Sequence, residues 1–123
     1  MRGYAPPTLF TGEYMKLIKG SYKIITQHGW QLKEGTVGYD YPFYIFREEG
    51  HTAKHDWCVS HISSGYSIRK NISLKHARQL VKALKPFPLF LLPDGESIAN
   101  EQKRMANHKL IQIQNIVNQK EMP

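Results

Sequence analysis

Cysteine is nearly absent from this chain of 123 residues: Cys58 stands alone, so no intrachain disulfide can form and a reducing compartment is expected. Long apolar runs are missing as well. The longest, residues 87–92, is interrupted by Pro88 and is far too short to span a bilayer. The first residues hold no apolar block of the kind a signal peptide requires. Negative charge is also scarce, with 10 Asp and Glu against 17 Lys and Arg and a net charge of +7. Together these shortages predict a soluble, cytoplasmic protein with no membrane partner. By charge alone, the excess of cations favours nucleic acid, an acidic protein surface or an anionic membrane surface.

Several catalytic signatures are lacking too. Ser60, Ser63 and Ser64 lie near His61 without the Gly-x-Ser-x-Gly frame of a nucleophile elbow. Gly35-Thr36-Val37-Gly38 has neither the lysine nor the length of a phosphate-cradling loop. His51, His55, Cys58 and His61 are spaced like zinc ligands at first sight. However, structural zinc sites usually use more than one thiolate, and Cys58 and His61 fall on opposite faces of a regular strand. Asp40, Glu48, Glu49 and Lys54 do not form the Glu-x-Lys pair of a metal-dependent nuclease. No catalytic residue, metal or other cofactor is assigned. His55 or His61 with Arg69 and Lys54 leaves a small metal-independent ribonuclease as an alternative.

The residues present suffice for a core. Hydrophobic residues make up 41% of the chain and aromatics 11%, and a chain of this size hides roughly two-thirds of its unfolded surface. The length predicts a single domain over 1–123, with residues 1–12 as an extended arm because Pro6 and Pro7 forbid helix there. Residues 21–26 and 30–33 read as strands joined by Gln27-His28-Gly29, and Gly35 and Gly38 mark a loop after them. Residues 41–47 are rich in β-formers, with Pro42 at the start. Two further strands, 57–62 and 66–70, flank Ser63-Ser64-Gly65, where Gly65 suits a left-handed turn position.

A helix over residues 74–85 comes next. Ser73 is its candidate N-cap, and Leu74, Ala77, Leu80, Val81 and Leu84 recur at helical steps. Pro86 and Pro88 end it. Residues 88–92 read as a short edge strand or extended segment. Asp94 or Ser97 is a candidate cap for the C-terminal region, where one long helix is expected from Ile98 to about Gln119. The resulting fold class is α+β: an antiparallel sheet of four to five strands packed against one medium and one longer C-terminal helix.

The helix over 74–85 carries Lys75, Arg78, Lys82 and Lys85 at the same periodicity, with Arg69 and Lys70 just before it. Cations in one strip match successive phosphates, so these six are the expected contacts to DNA or RNA, supplemented by Lys54 and Tyr66. The bland alternative is a solvated helix face. Tyr39, Tyr41, Phe43, Tyr44 and Phe46 crowd one stretch, and Trp57 and Tyr66 lie in the later hairpin; most are expected in the core rather than stacked on bases. Ala106, Leu110, Ile113 and Val117 form the seam of the last helix. Ile111 and Ile116 lie outside it and make a homodimer through that helix an option. The leading expectation is a small non-enzymatic nucleic-acid-binding protein, regulatory or accessory to a phage or plasmid. A protein that docks on an acidic protein or ribonucleoprotein is the second.

Overall fold

A meander of short-range hairpins builds the sheet. The computed structural model describes residues 15–121 and places five antiparallel strands in the order β1-β2-β3-β4-β5: β1 Ile18–Thr26, β2 Gly29–Asp40, β3 Phe43–Glu48, β4 Trp57–His61 and β5 Ser67–Ile72. Each strand pairs with its sequence neighbour, as the hairpin signals required. Three α-helices follow among the described residues: α1 Leu74–Leu84, α2 Gly95–Arg104 and α3 Asn107–Val117. The expected N-terminal arm lies outside the described residues.

The first hairpin is longer than its sequence suggests. Gly35 and Gly38, expected in a loop, sit inside β2, which continues to Asp40. Pairing between β1 and β2 runs from Ile18–Val37 to Thr26–Gly29, whereas β3 accompanies β2 only as far as Gly35. A Cβ on Gly35 would overlap the Arg47 carbonyl, so the strand can leave β3 there only as glycine. Beyond that point the hairpin projects past β3 and bends over the sheet. The bend is fixed by three contacts: the Tyr22 ring lies 4.6 Å from Phe46, Tyr44 Oη donates to the Lys23 carbonyl at 2.5 Å, and Trp30 reaches Gly65.

This bend gives the sheet two cores. On one face Phe43, Ile45, Trp57, Val59 and Ile72 pack under the helices. On the other, Tyr22, Val37 and Tyr44 are buried with Ile24, Phe46 and Ile62 against them. The alternation of Phe43 and Ile45 with Tyr44 and Phe46 therefore serves both faces. Arg47 stacks its guanidinium 4.7 Å from the Trp57 ring on the helix side.

Helix α1 begins where expected. Ser73 is extended and its Oγ accepts the His76 N–H at 3.0 Å. Ala77, Leu80, Val81 and Leu84 are buried, and each of the three larger side chains contributes about 1.5–3 kcal/mol in removed apolar surface. Two expectations need correction. Residues 88–92 hold no edge strand: Pro88–Leu91 is a 3-10 turn, with Leu89 and Phe90 buried and the Phe90 carbonyl taken by His61. The long C-terminal helix is two helices, broken at Met105 and Ala106, both extended. An unbroken helix of that length would extend about 34 Å, twice the span of α1. The break lets Ile98, Met105 and Ile113 all reach the same core. Asp94 caps α2, accepting the Ser97 N–H at 2.8 Å.

Candidate nucleic-acid interface

Three of the expected contacts converge. Helix α1 turns its buried stripe to the sheet, which leaves Lys75, Arg78 and Lys82 on the outer side lining one shallow groove of about 440 Å³ with Leu74 and Gln79. The helix contains no Asp or Glu, so nothing on it neutralises the groove from within. Arg78 is half-buried and its Nε is enclosed without a hydrogen-bond partner among the described residues. The guanidinium stem is therefore held in place by packing.

The ends of the strip are committed elsewhere. Arg69 donates from one terminal nitrogen to the Val117 and Gln119 carbonyls, at 2.6 and 3.1 Å, and so ties β5 to the end of α3. Lys85 pairs with Asp40 at 2.6 Å across the β2–β3 corner. Lys70 is exposed and lies within electrostatic reach of Cys58, the β4 residue paired with Phe46. Lys54 is exposed in the loop before β4 and acts with His55 on the Glu121 carboxyl, which is held below its usual range chiefly by the Ser73 hydroxyl. Tyr66 packs on Gly95 at the start of α2 and lines a different cavity.

That second cavity, about 510 Å³, lies between β5 and helices α2 and α3 and is lined by Ile68, Ile98, Leu110 and Ile113 among others. His61 and Ser64 sit at its end. His61 is only 1% exposed. Its Nε2 lies 2.6 Å from the Phe90 carbonyl, which can only accept; Nε2 therefore carries the proton and Nδ1 accepts from Ser64 Oγ at 2.8 Å. Ser64 Oγ in turn accepts the Tyr66 N–H at 3.1 Å, and Gly65 N–H bonds back to the His61 carbonyl at 2.8 Å. The pair thus closes the β4–β5 turn and anchors the 3-10 segment. Both ring nitrogens are occupied in doing so. Cys58 is half-buried, and burial pushes its thiol pKa up, which favours the unreactive protonated form. Among the described residues no three His, Cys, Asp or Glu side chains come together as metal ligands.

Sequence reasoning did not single out Trp30 or Leu32, and it expected Tyr39 among the core aromatics. Trp30 and Leu32 on β2 and Tyr39 at its end are exposed, and they border a groove on the sheet face away from the helices. Their alternation with Gln31 and Lys33 signals a strand, but only the bend of the hairpin decides that they stay uncovered. No helix of the described residues is long and apolar enough to cross a membrane. Set beside family models, curated proteins and solved structures, the chain matches none.

Proposed function

We propose that this chain is a small, non-enzymatic nucleic-acid-binding protein that holds phosphates along the outer side of α1. The observation that carries the reading is the shared groove of Lys75, Arg78 and Lys82 on a helix without carboxylates. Cations one helical turn apart match the spacing over which a backbone presents successive phosphates, and the net charge of +7 adds long-range attraction. Lys54 adds charge near the N-terminus of α1, beside Glu121 and Ser73. Arg69 and Lys85 contribute charge while their geometry is set by internal bonds.

Salt dependence tests the proposal. A chain carrying Lys75→Glu and Arg78→Gln should lose retention on heparin at low salt, and its log affinity for mixed DNA should fall less steeply with log salt, by about two units. Circular dichroism checks that the fold persists. Unchanged retention and slope would refute the phosphate contacts. Binding to a protein partner that survives high salt would instead favour a docking role on an acidic surface, because phosphate affinity collapses there.

A further inference from the structure

We infer that the groove bordered by Trp30, Leu32, Tyr39 and Tyr44 takes the unstacked bases of a single-stranded nucleic acid. This inference rests on the polyanion reading above and adds a second site to it. The groove is an open cavity of about 550 Å³ on the sheet face opposite the helices. Trp30 and Tyr39 are each 51% exposed at its border, so two aromatic side chains present ring surface to solvent.

Both platforms rest against neighbouring parts of the chain. Tyr44 is buried and fixed by its bond to the Lys23 carbonyl. Tyr39 leans on Tyr44, with centroids 5.8 Å apart and planes 30° from parallel. Trp30 presses one edge of its indole against Gly65, where a Cβ would overlap it. Rings ordered before the ligand arrives lose little entropy when a base stacks on them.

Charge selects the occupant. Lys23 is the one charged side chain lining the groove among the described residues, and no carboxylate of theirs lines it. The described segment that builds the hairpin carries Lys16, Lys19, Lys23 and Lys33 against Glu34, whose carboxylate accepts from Ser21 Oγ at 2.5 Å, and Asp40, which is paired with Lys85. Aromatic faces beside lysines suit a ligand with flat apolar rings on an anionic chain. A duplex would offer only its phosphates, because its bases are already stacked on one another.

The experiment compares a thymidine oligonucleotide with a duplex of equal length. Trp57 is buried, so quenching of indole fluorescence on binding reports Trp30. Expected are quenching by the single strand but not the duplex, and a loss of single-strand affinity of about tenfold in Trp30→Ala and again in Tyr39→Ala. Duplex binding should stay unchanged in both. Tyr39→Ala decides the matter if Trp30→Ala unfolds. Equal single-strand affinity in Tyr39→Ala and the parent overturns the inference, as does quenching by neither strand form. If heparin retention still depends on Lys75 and Arg78 in that case, only the base site fails; if retention never depended on them, the phosphate reading fails separately. Quenching by a neutral oligosaccharide with none by the oligonucleotide also overturns it.

Discussion

Trp30 and Gly65, thirty-five positions apart, meet because the first hairpin bends back across the sheet to the turn between β4 and β5. Gly65 has φ +74, and a side chain there would overlap the indole. The contact lies at the end of the hairpin whose Tyr22 and Val37 form the second core with Tyr44.

Gly65→Ala should therefore destabilise the protein through both backbone strain and displacement of Trp30. The expected cost is about 1–3 kcal/mol, with a red shift in indole emission as the ring gains water. Urea unfolding followed by fluorescence measures both. A variant as stable as the parent, with unchanged emission, would show that the hairpin tip does not rest on this turn.

The Tyr22 hydroxyl is buried without a hydrogen-bond partner among the described residues, and burial, aided by Glu48, raises its pKa to about 12. Removing the oxygen removes a desolvated group that gains nothing in return. Tyr22→Phe should leave stability at neutral pH unchanged or raise it by about 1 kcal/mol. A loss of about 1 kcal/mol or more in thermal unfolding would mean that the hydroxyl has a partner.

His61 joins the β4–β5 turn to the 3-10 segment through Ser64 and the Phe90 carbonyl. His61→Phe keeps the ring volume but deprives both partners, at about 1–3 kcal/mol for each group left unsatisfied. Chemical denaturation should show a total loss of about 2 kcal/mol or more. The same substitution should leave heparin retention intact in the folded protein. Loss of retention without loss of stability would place His61 at the binding surface instead.

His76, buried on α1, has its pKa held below 6.5, first by burial and then by Arg69, with Glu121 opposing. Because the folded pKa lies below the unfolded one, the unfolded chain takes up the proton first as pH falls. This contribution to stability is complete above pH 6.5 and declines as pH drops from there toward the folded value. Replacing His76 by Gln should flatten that part of the curve. Denaturation midpoints for parent and variant that run parallel between about pH 7.5 and pH 5 would contradict the assignment.

Much of the fold is written locally. Ser73 ahead of the stripe Ala77, Leu80, Val81 and Leu84, with Pro86 behind it, marks α1, because caps and periodicity act within one or two turns. The paired runs about Gly29 and Gly65 likewise give two of the hairpins. Pro88 misleads, since the partner that makes its segment useful, His61, lies far away in sequence. The break at Met105 has no glycine or proline to announce it; it arises from the size of the surface the two helices must cover.

The candidate site divides in the same way. Its basic helix face could be read because Lys75, Arg78 and Lys82 recur with the period that buries their neighbours. Composition and local pattern by themselves determined an antiparallel sheet, a capped cationic helix and a surplus of positive charge. Only the tertiary structure decided which cations serve as internal ties, as Arg69 and Lys85 do, and which aromatics remain uncovered, as Trp30 and Tyr39 do. Exposure depends on where a strand bends and on what distant segment then lies across it. Here that was settled by the close approach of chain at Gly35 and Gly65, which side-chain periodicity does not record.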